Sequence, residues 1–190
     1  MGRSSHEQAL QNRSKIVDRA SKLFRKFGVD SVTVSDIMKS MGMTAGGFYK
    51  HFDSKDALVR EAVTLSFEQA SNFWAGIAEG SGNAGVASAS IVQQYFKRRP
   101  PDQTCPILAF AGHVASESAG PLACSAYRAG AKRLFAQFIG KQPECKQNAE
   151  VMFAAMIGAG FLAHTLNDDK WVRAVQAAVE TTATRNTASD

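Results

Sequence analysis

Apolar residues along most of this chain recur at steps of three and four, the spacing that gathers them on one face of an α-helix. From Arg13 to Phe27 the positions Ile16, Val17, Ala20, Leu23, Phe24 and Phe27 keep this rhythm, while Arg19, Lys22, Arg25 and Lys26 fall on the polar side. Gly28 ends the segment. Two shorter segments follow with explicit boundaries. Thr33 and Asp36 have capping-box spacing, and Val32 and Ile37 are placed as a hydrophobic staple across it. Ile37, Met38 and Met41 are expected inward, with Gly42 as a left-handed stop. Thr44 then caps a second helix, with Met43 and Phe48 in staple positions. The pattern predicts two helices joined by a turn of about four residues, the length a helix-turn-helix needs. Ser54 caps a longer helix bearing Leu58, Ala62, Leu65, Phe73, Trp74 and Ile77.

Residues 80–85, GSGNAG, interrupt the pattern. They spell a dinucleotide-binding fingerprint, but that motif needs a strand before it and an acidic residue about 20 positions later. A helical pattern precedes and no such acid follows, so a connection between helices is expected. Further helices are predicted at 86–99, 106–118, 121–140, 145–166 and 168–184, with Pro100, Pro101, Pro106, Pro121 and Pro143 at or near their ends. No segment alternates as a strand does. The expected class is all-α: an N-terminal three-helix helix-turn-helix domain over 1–60, a helical ligand-binding and dimerisation domain over 61–184, and a frayed tail at 185–190.

Charge sharpens this division. The 190 residues carry a net charge of +5. Residues 1–60 hold 11 Lys/Arg against 6 Asp/Glu, and the remainder holds 11 of each. One end is therefore suited to a polyanion and the rest is neutral. No apolar run is long enough to span a bilayer, and the polar opening lacks a secretory signal. Three widely spaced cysteines, Cys105, Cys124 and Cys145, argue for reduced thiols in a cytoplasmic protein without a disulfide framework.

The stretch TVSDIMKSMGMTAGGFYKHFDSKDALV, residues 33–59, resembles the DNA-binding signature of the TetR family of bacterial repressors. Thr33, Ile37, Gly42, Thr44, Gly46 and Phe48 carry the likeness, as do Tyr49, His51, Phe52, Ser54, Lys55 and Leu58, in one register. The resemblance covers about the first 65 residues, counting the helix that ends at Gly28. It implies a second helix that reads operator DNA and a larger C-terminal domain that holds an effector and dimerises. Gly46 and Gly47 lie in the first turn of a short helix, where each costs up to about 1 kcal/mol relative to alanine. That favours a close approach to DNA over stability. Tyr49 offers a hydroxyl to phosphate, with a buried tyrosine as the alternative. Lys50 and Lys55 are expected phosphate or groove contacts, with a solvated lysine as the alternative, and Thr33 can cap its helix while touching a phosphate. Thr44 and His51 are also among the expected DNA-binding residues. A reading helix opening Thr-Ala-Gly-Gly presents few side chains to bases. Specificity then leans on Lys50, on Ala45 against a thymine methyl, on Lys39 and on DNA shape.

The segment from Cys105 to Leu108 followed by Glu117 resembles the YxaF/LmrA-like subgroup. A ligand pocket is expected from Phe96, from Leu108, Phe110, Ala111, His113 and Val114 on one helix, from Tyr127 and Phe135 on the next, and from Met156. Simple core packing is the alternative for each. His113 and Glu117 are one helical turn apart. Two ligands without a third make an orienting hydrogen bond the better reading than a metal, and no metal or other cofactor is expected. The apolar run MFAAMIGAGFLAH, with Ala155, Gly158, Ala159 and Gly160, and the stripe Trp171, Val172, Val175 and Val179 suggest a homodimer through helices 145–166 and 168–184. The expected partners are double-stranded operator DNA, a second copy and a small lipophilic effector, with no membrane. No nucleophile–base pair or phosphate loop points to an enzyme. The alternatives are a constitutive DNA-binding protein without inducer, or a thiol-based redox-responsive repressor acting through Cys105.

Overall fold

The computed structural model describes residues 2–81, 84–140, 146–166 and 169–185. Every regular element among them is helical, as the spacing predicts. The order is α1 (Gly2–Phe27), α2 (Val34–Lys39), a 3-10 helix (Ala45–Lys50), α3 (Lys55–Glu79), α4 (Ala84–Tyr95), a short 3-10 turn (Pro101–Gln103), α5 (Pro106–Val114), α6 (Pro121–Ile139), α7 (Lys146–Thr165) and α8 (Lys170–Arg185). Gly28, directly after α1, and Gly42, three residues past the end of α2, take φ of 83° and 68°, in the left-handed region where a side chain would strain the backbone.

Three boundaries and one helix type differ from the expected ones. α1 begins eleven residues before Arg13, because apolar periodicity registers burial rather than helicity and residues 6–11 are all exposed. The reading helix is 3-10 rather than α. Its first turn closes by Gly47 N–H donating to Thr44 C=O at 3.0 Å, and its last by His51 N–H donating to Phe48 C=O at 2.8 Å. α4 stops at Tyr95, short of the expected residue 99. α5 stops at Val114, where the Ser116 hydroxyl donates to the His113 carbonyl at 2.7 Å and closes a turn. Cys145 and Pro143 lie outside the described residues, as does part of the GSGNAG segment.

Two compact units interleave along the sequence: Met1–Gln69 with Arg99–Ala131, and Ala70–Arg98 with Lys132–Asp190. The division falls within α3 and within α6. In the first unit α1 packs on α2, on α5 and on the Pro101–Gln103 turn, and α2 packs on the 3-10 helix. Ile16, Ala20, Phe24, Ile37, Met38, Phe48 and Leu58 are fully buried there. Burying a large apolar side chain contributes about 1.5–3 kcal/mol each. Phe27, expected on the buried stripe, is 53% exposed, and the Lys26 ammonium sits 4.7 Å from its ring centre. Ser21 and Ser66, both fully buried, face each other with oxygens 2.9 Å apart. The Ser66 hydroxyl also donates to the Ala62 carbonyl at 2.7 Å.

In the second unit α7 packs on α8, and α4 on both. Phe153 lies edge-on to Trp74, Phe135 and Phe138, with centroids 6.5, 5.2 and 5.5 Å away. Gly160 serves the close packing expected of small residues: a Cβ there would lie 2.5 Å from Tyr95 Cε1. Gly158, two residues earlier, faces open space.

Candidate nucleic-acid interface

The segment from Thr33 to Lys55 is held by side-chain caps at two of its three helix starts. At α2 the capping box is complete. Asp36 N–H donates to Thr33 Oγ1 at 3.1 Å, and Thr33 N–H donates to Asp36 Oδ2 at 2.9 Å. The Thr33 hydroxyl also donates to Asp36 Oδ2. Those two bonds from Thr33, side chain first, hold the Asp36 carboxyl below its ordinary pKa. A phosphate contact donated by Thr33 would take that proton from Asp36. At the 3-10 helix, Thr44 occupies the capping position with extended backbone, but its side chain makes no capping bond. At α3, Ala57 N–H donates to Ser54 Oγ at 3.1 Å.

The staple residues behave as spaced. Val32 and Ile37 are buried, as is Phe48, whose ring stacks on Phe52 at 5.3 Å. Tyr49 lies edge-on to Phe48 at 5.2 Å and is 70% exposed, the most exposed large apolar side chain among the described residues. A buried tyrosine is therefore excluded at that position. Thr33, Lys39, Thr44, Ala45, Gly46 and Lys50 are exposed as well, whereas Gly47, His51 and Lys55 are half-buried.

Neither glycine of the reading helix is required by the fold. A Cβ at Gly46 would meet nothing within 4 Å. At Gly47 it would make ordinary contact with Met38 Cε at 3.6 Å and Thr44 Oγ1 at 3.7 Å. Neither residue has positive φ. Lys55 has a structural duty beside the expected one: its ammonium donates to the Val29 carbonyl at 2.7 Å, tying the start of α3 to the loop after α1. An ammonium has three N–H groups, so two remain for phosphate.

Sequence reasoning missed the residues that brace this segment. Arg13 makes a bidentate ion pair with Glu61, Nη2 to Oε1 at 2.6 Å and Nη1 to Oε2. Its Nε donates to the His51 carbonyl at 3.3 Å, and its guanidinium lies 4.5 Å from the Phe52 ring centre. That single side chain joins α1, the end of the reading helix and α3. The Glu61 hydrogen bond, first, and then its charge hold the Arg13 pKa above its ordinary value against some desolvation. Arg19 Nε donates to Ser40 Oγ at 2.8 Å just past α2. The only sequence signal for such braces was an arginine at the edge of an apolar stripe.

The expected pocket residues divide between the units. Leu108, Phe110, Ala111, His113, Val114 and Tyr127 fall in the first; Phe96, Phe135 and Met156 fall in the second. Phe110 and Met156 are fully buried. The two polar members have internal partners. Tyr127 donates its hydroxyl to the Ile107 carbonyl at 2.9 Å, and its pKa is raised by burial and then by Cys105. His113 Nδ1 lies 3.0 Å from Asp30 Oδ1, a partner outside the His113–Glu117 pair that the spacing singled out. Among the described residues no three His, Cys, Asp or Glu side chains are grouped to hold a metal ion. None of the helices described is long and apolar enough to cross a membrane. Cys105 is the N-cap residue of α5, and neither it nor Cys124 is in a disulfide.

A capped helix pair with an exposed, glycine-opened second helix on a small helical core defines the helix-turn-helix class of regulatory protein. Residues 16–62 match the family described as bacterial regulatory proteins, tetR family. The likeness to that family is carried by these residues. It is 38% identical over 66 residues to the HTH-type transcriptional regulator AcrR of Shigella flexneri, a match covering 35% of this chain and 31% of that protein. It is 37% identical over 60 residues to the biofilm operon icaADBC HTH-type negative transcriptional regulator IcaR of Staphylococcus aureus strain Newman, covering 32% of each. The chain thus matches about a third of the length of these curated relatives. The whole fold is similar to a TetR transcriptional regulator from Chloroflexus aurantiacus, with TM-score 0.77 and 25% identity over 94% of this chain and 96% of that one. It is also similar to reduced Escherichia coli NemR, with TM-score 0.75 and 19% identity over 90% and 96%. The second of these likenesses speaks to fold alone.

Proposed function

We propose that this chain is a transcriptional repressor that binds a palindromic operator as a homodimer and releases it when a small lipophilic molecule binds. Residues 1–60 would read DNA, and residues 61–184 would hold the effector and the second subunit. The observation that carries the reading is the surface of the 3-10 helix. Tyr49 and Lys50 project from it, and its two glycines leave backbone open without any need of the fold. Groove width and phosphate geometry reward such a surface. The basic first third and the repressor named among the relatives, IcaR, support the same reading.

The dimer is supported by exposed faces on the last two helices. On α7, Val151, Ala154, Gly158 and Phe161 are exposed at alternating steps of three and four, and on α8 Trp171, Ala174 and Ala178 continue the same spacing. Val151, Phe161 and Trp171 are 65, 52 and 51% exposed. Small and large apolar residues on one stripe suit a helix pair from a second subunit.

The test is selection of binding duplexes from a random pool, followed by footprinting and sedimentation with and without the selected DNA. A two-fold symmetric footprint covering successive major grooves is expected. A monomer on a single half-site would overturn the dimeric reading. Lipophilic compounds that raise the melting temperature should lower operator affinity, and operator should weaken their binding by the same factor. A second reading, release by thiol modification, is favoured by one cluster. Burial lowers the Arg25 pKa, opposed by the charges of Asp102, Asp18 and Cys105, so a guanidinium lies within electrostatic reach of the thiol at the start of α5. Oxidant or electrophile should then release operator from the wild type but not from Cys105→Ser. Equal release from both would sink it.

A further inference from the structure

We propose that the corner between α5 and α6, residues 113–120, is a positioning element for the reading helix. It grips the loop before α2 through Asp30 and the first turn of α3 through Asp56. The inference rests on the DNA-binding reading above.

All the groups involved belong to the first compact unit. The His113 side chain is 8% exposed and that of Asp30 58%, so a buried imidazole anchors a carboxylate that stays partly open to solvent. An ionised carboxylate only accepts, so His113 Nδ1 donates across the 3.0 Å contact. Ser118 Oγ donates to the same carboxylate oxygen at 3.4 Å. Asp30 follows Val29, whose carbonyl receives Lys55, and precedes the staple residue Val32 and the cap Thr33. Displacing Asp30 therefore moves both the start of α2 and the anchor of α3.

The second grip is steric. A Cβ on Gly120 would lie 2.1 Å from Asp56 Oδ1 and 2.2 Å from Asp56 Cγ, so no side chain fits while Asp56 keeps its place. Asp56 Oδ1 is buried without a hydrogen-bond partner. A desolvated carboxylate oxygen is costly to bury against a turn, and the amides of the first turn of α3 offset that cost only in part. Asp56 adjoins Lys55 in that turn. The corner thus fixes the residues on either side of the reading helix without belonging to the helix-turn-helix itself.

The experiment uses the full chain, a duplex enriched by the wild type from a random pool, and an unrelated duplex of equal length. His113→Ala and Asp30→Ala should each lower affinity for the enriched duplex about tenfold, as loss of a charge-assisted hydrogen bond does. The double variant should fall no further, because both changes remove one bond. Asp30→Asn keeps an acceptor oxygen and should retain more affinity than Asp30→Ala. Gly120→Ala should weaken binding, and adding Asp56→Ala to it should restore binding. Affinity for the unrelated duplex should stay within about twofold throughout, since it depends on phosphate neutralisation rather than on pose. Partial unfolding would lower both affinities together, so their ratio is the readout. An unchanged ratio in Asp30→Ala, or failure of Asp56→Ala to rescue Gly120→Ala, overturns the inference. A wild type that enriches no sequence overturns the DNA-binding reading and this inference with it.

Discussion

A methyl group added at Gly46 would meet no atom of the protein, and the backbone there is outside the left-handed region. Gly46→Ala should therefore leave thermal stability unchanged or raise it by up to about 1 kcal/mol, through a less flexible unfolded chain. On the proposed DNA-binding reading operator affinity should fall, because the added carbon would stand where DNA backbone comes close. Unfolding curves and operator titrations on one preparation check both halves, and undiminished affinity would remove the functional reason for the glycine. The Thr33–Asp36 pair makes a second prediction. A carboxyl whose folded pKa is depressed contributes stability above its unfolded pKa and loses it as pH falls through the folded value. Thr33→Val should destabilise the protein at neutral pH. The gap between its unfolding midpoint and that of the wild type should narrow on acidification below the ordinary carboxylate range. A gap that stays constant with pH would show that the cap acts without the carboxylate.

Helix pairs in the first unit are locked by one polar and one steric contact, and each predicts an asymmetry. Ser66 donates to Ala62, so the proton between Ser21 and Ser66 comes from Ser21. Ser66→Ala strands a buried donor on Ser21 and should cost about 1–3 kcal/mol, whereas Ser21→Ala leaves Ser66 satisfied and should cost less. Denaturant unfolding of the two variants decides it; equal losses would contradict the donor assignment. Gly130 on α6 leaves room for the ring of Phe67 on α3, where a Cβ would lie 2.2 Å from Cγ. Gly130→Ala should destabilise by about 1–3 kcal/mol through overpacking. Helix order, the Thr33 and Ser54 caps and the exposure of Tyr49 and Lys50 were legible in the sequence, because each is written in neighbouring residues, whereas the side-chain cap expected of Thr44 does not form. The N-terminal turns of α1 were not, since an exposed helix has no apolar rhythm. Nor was the role of His113, whose partner Asp30 lies 83 residues away. His113 was expected in a pocket on the same grounds that fit a buried brace, and spacing on one helix cannot separate the two.

At the scale of the whole chain, charge and apolar surface lie in different places: the excess of basic residues falls in the first third, and an exposed apolar stripe falls on α7 and α8. Phe161→Glu with Trp171→Glu should convert the proposed dimer to monomer in sedimentation experiments and abolish tight operator binding while helix content persists. A dimer that survives both charges would place the interface elsewhere. The interleaving of the two compact units bears on how such proteins can be recombined. Natural shuffling and deliberate grafting usually treat a DNA-reading segment as a cassette cut at one point, but here α5 and the start of α6 fold with the first 69 residues. A chimera joined just after the helix-turn-helix would inherit a corner matched to another protein's loop, with Asp30 and Asp56 facing strangers. Transplanting residues 99–131 along with the head should yield a working hybrid where the single-cut version does not. Heritable changes of operator preference in this lineage would then track paired substitutions in two distant stretches of the gene.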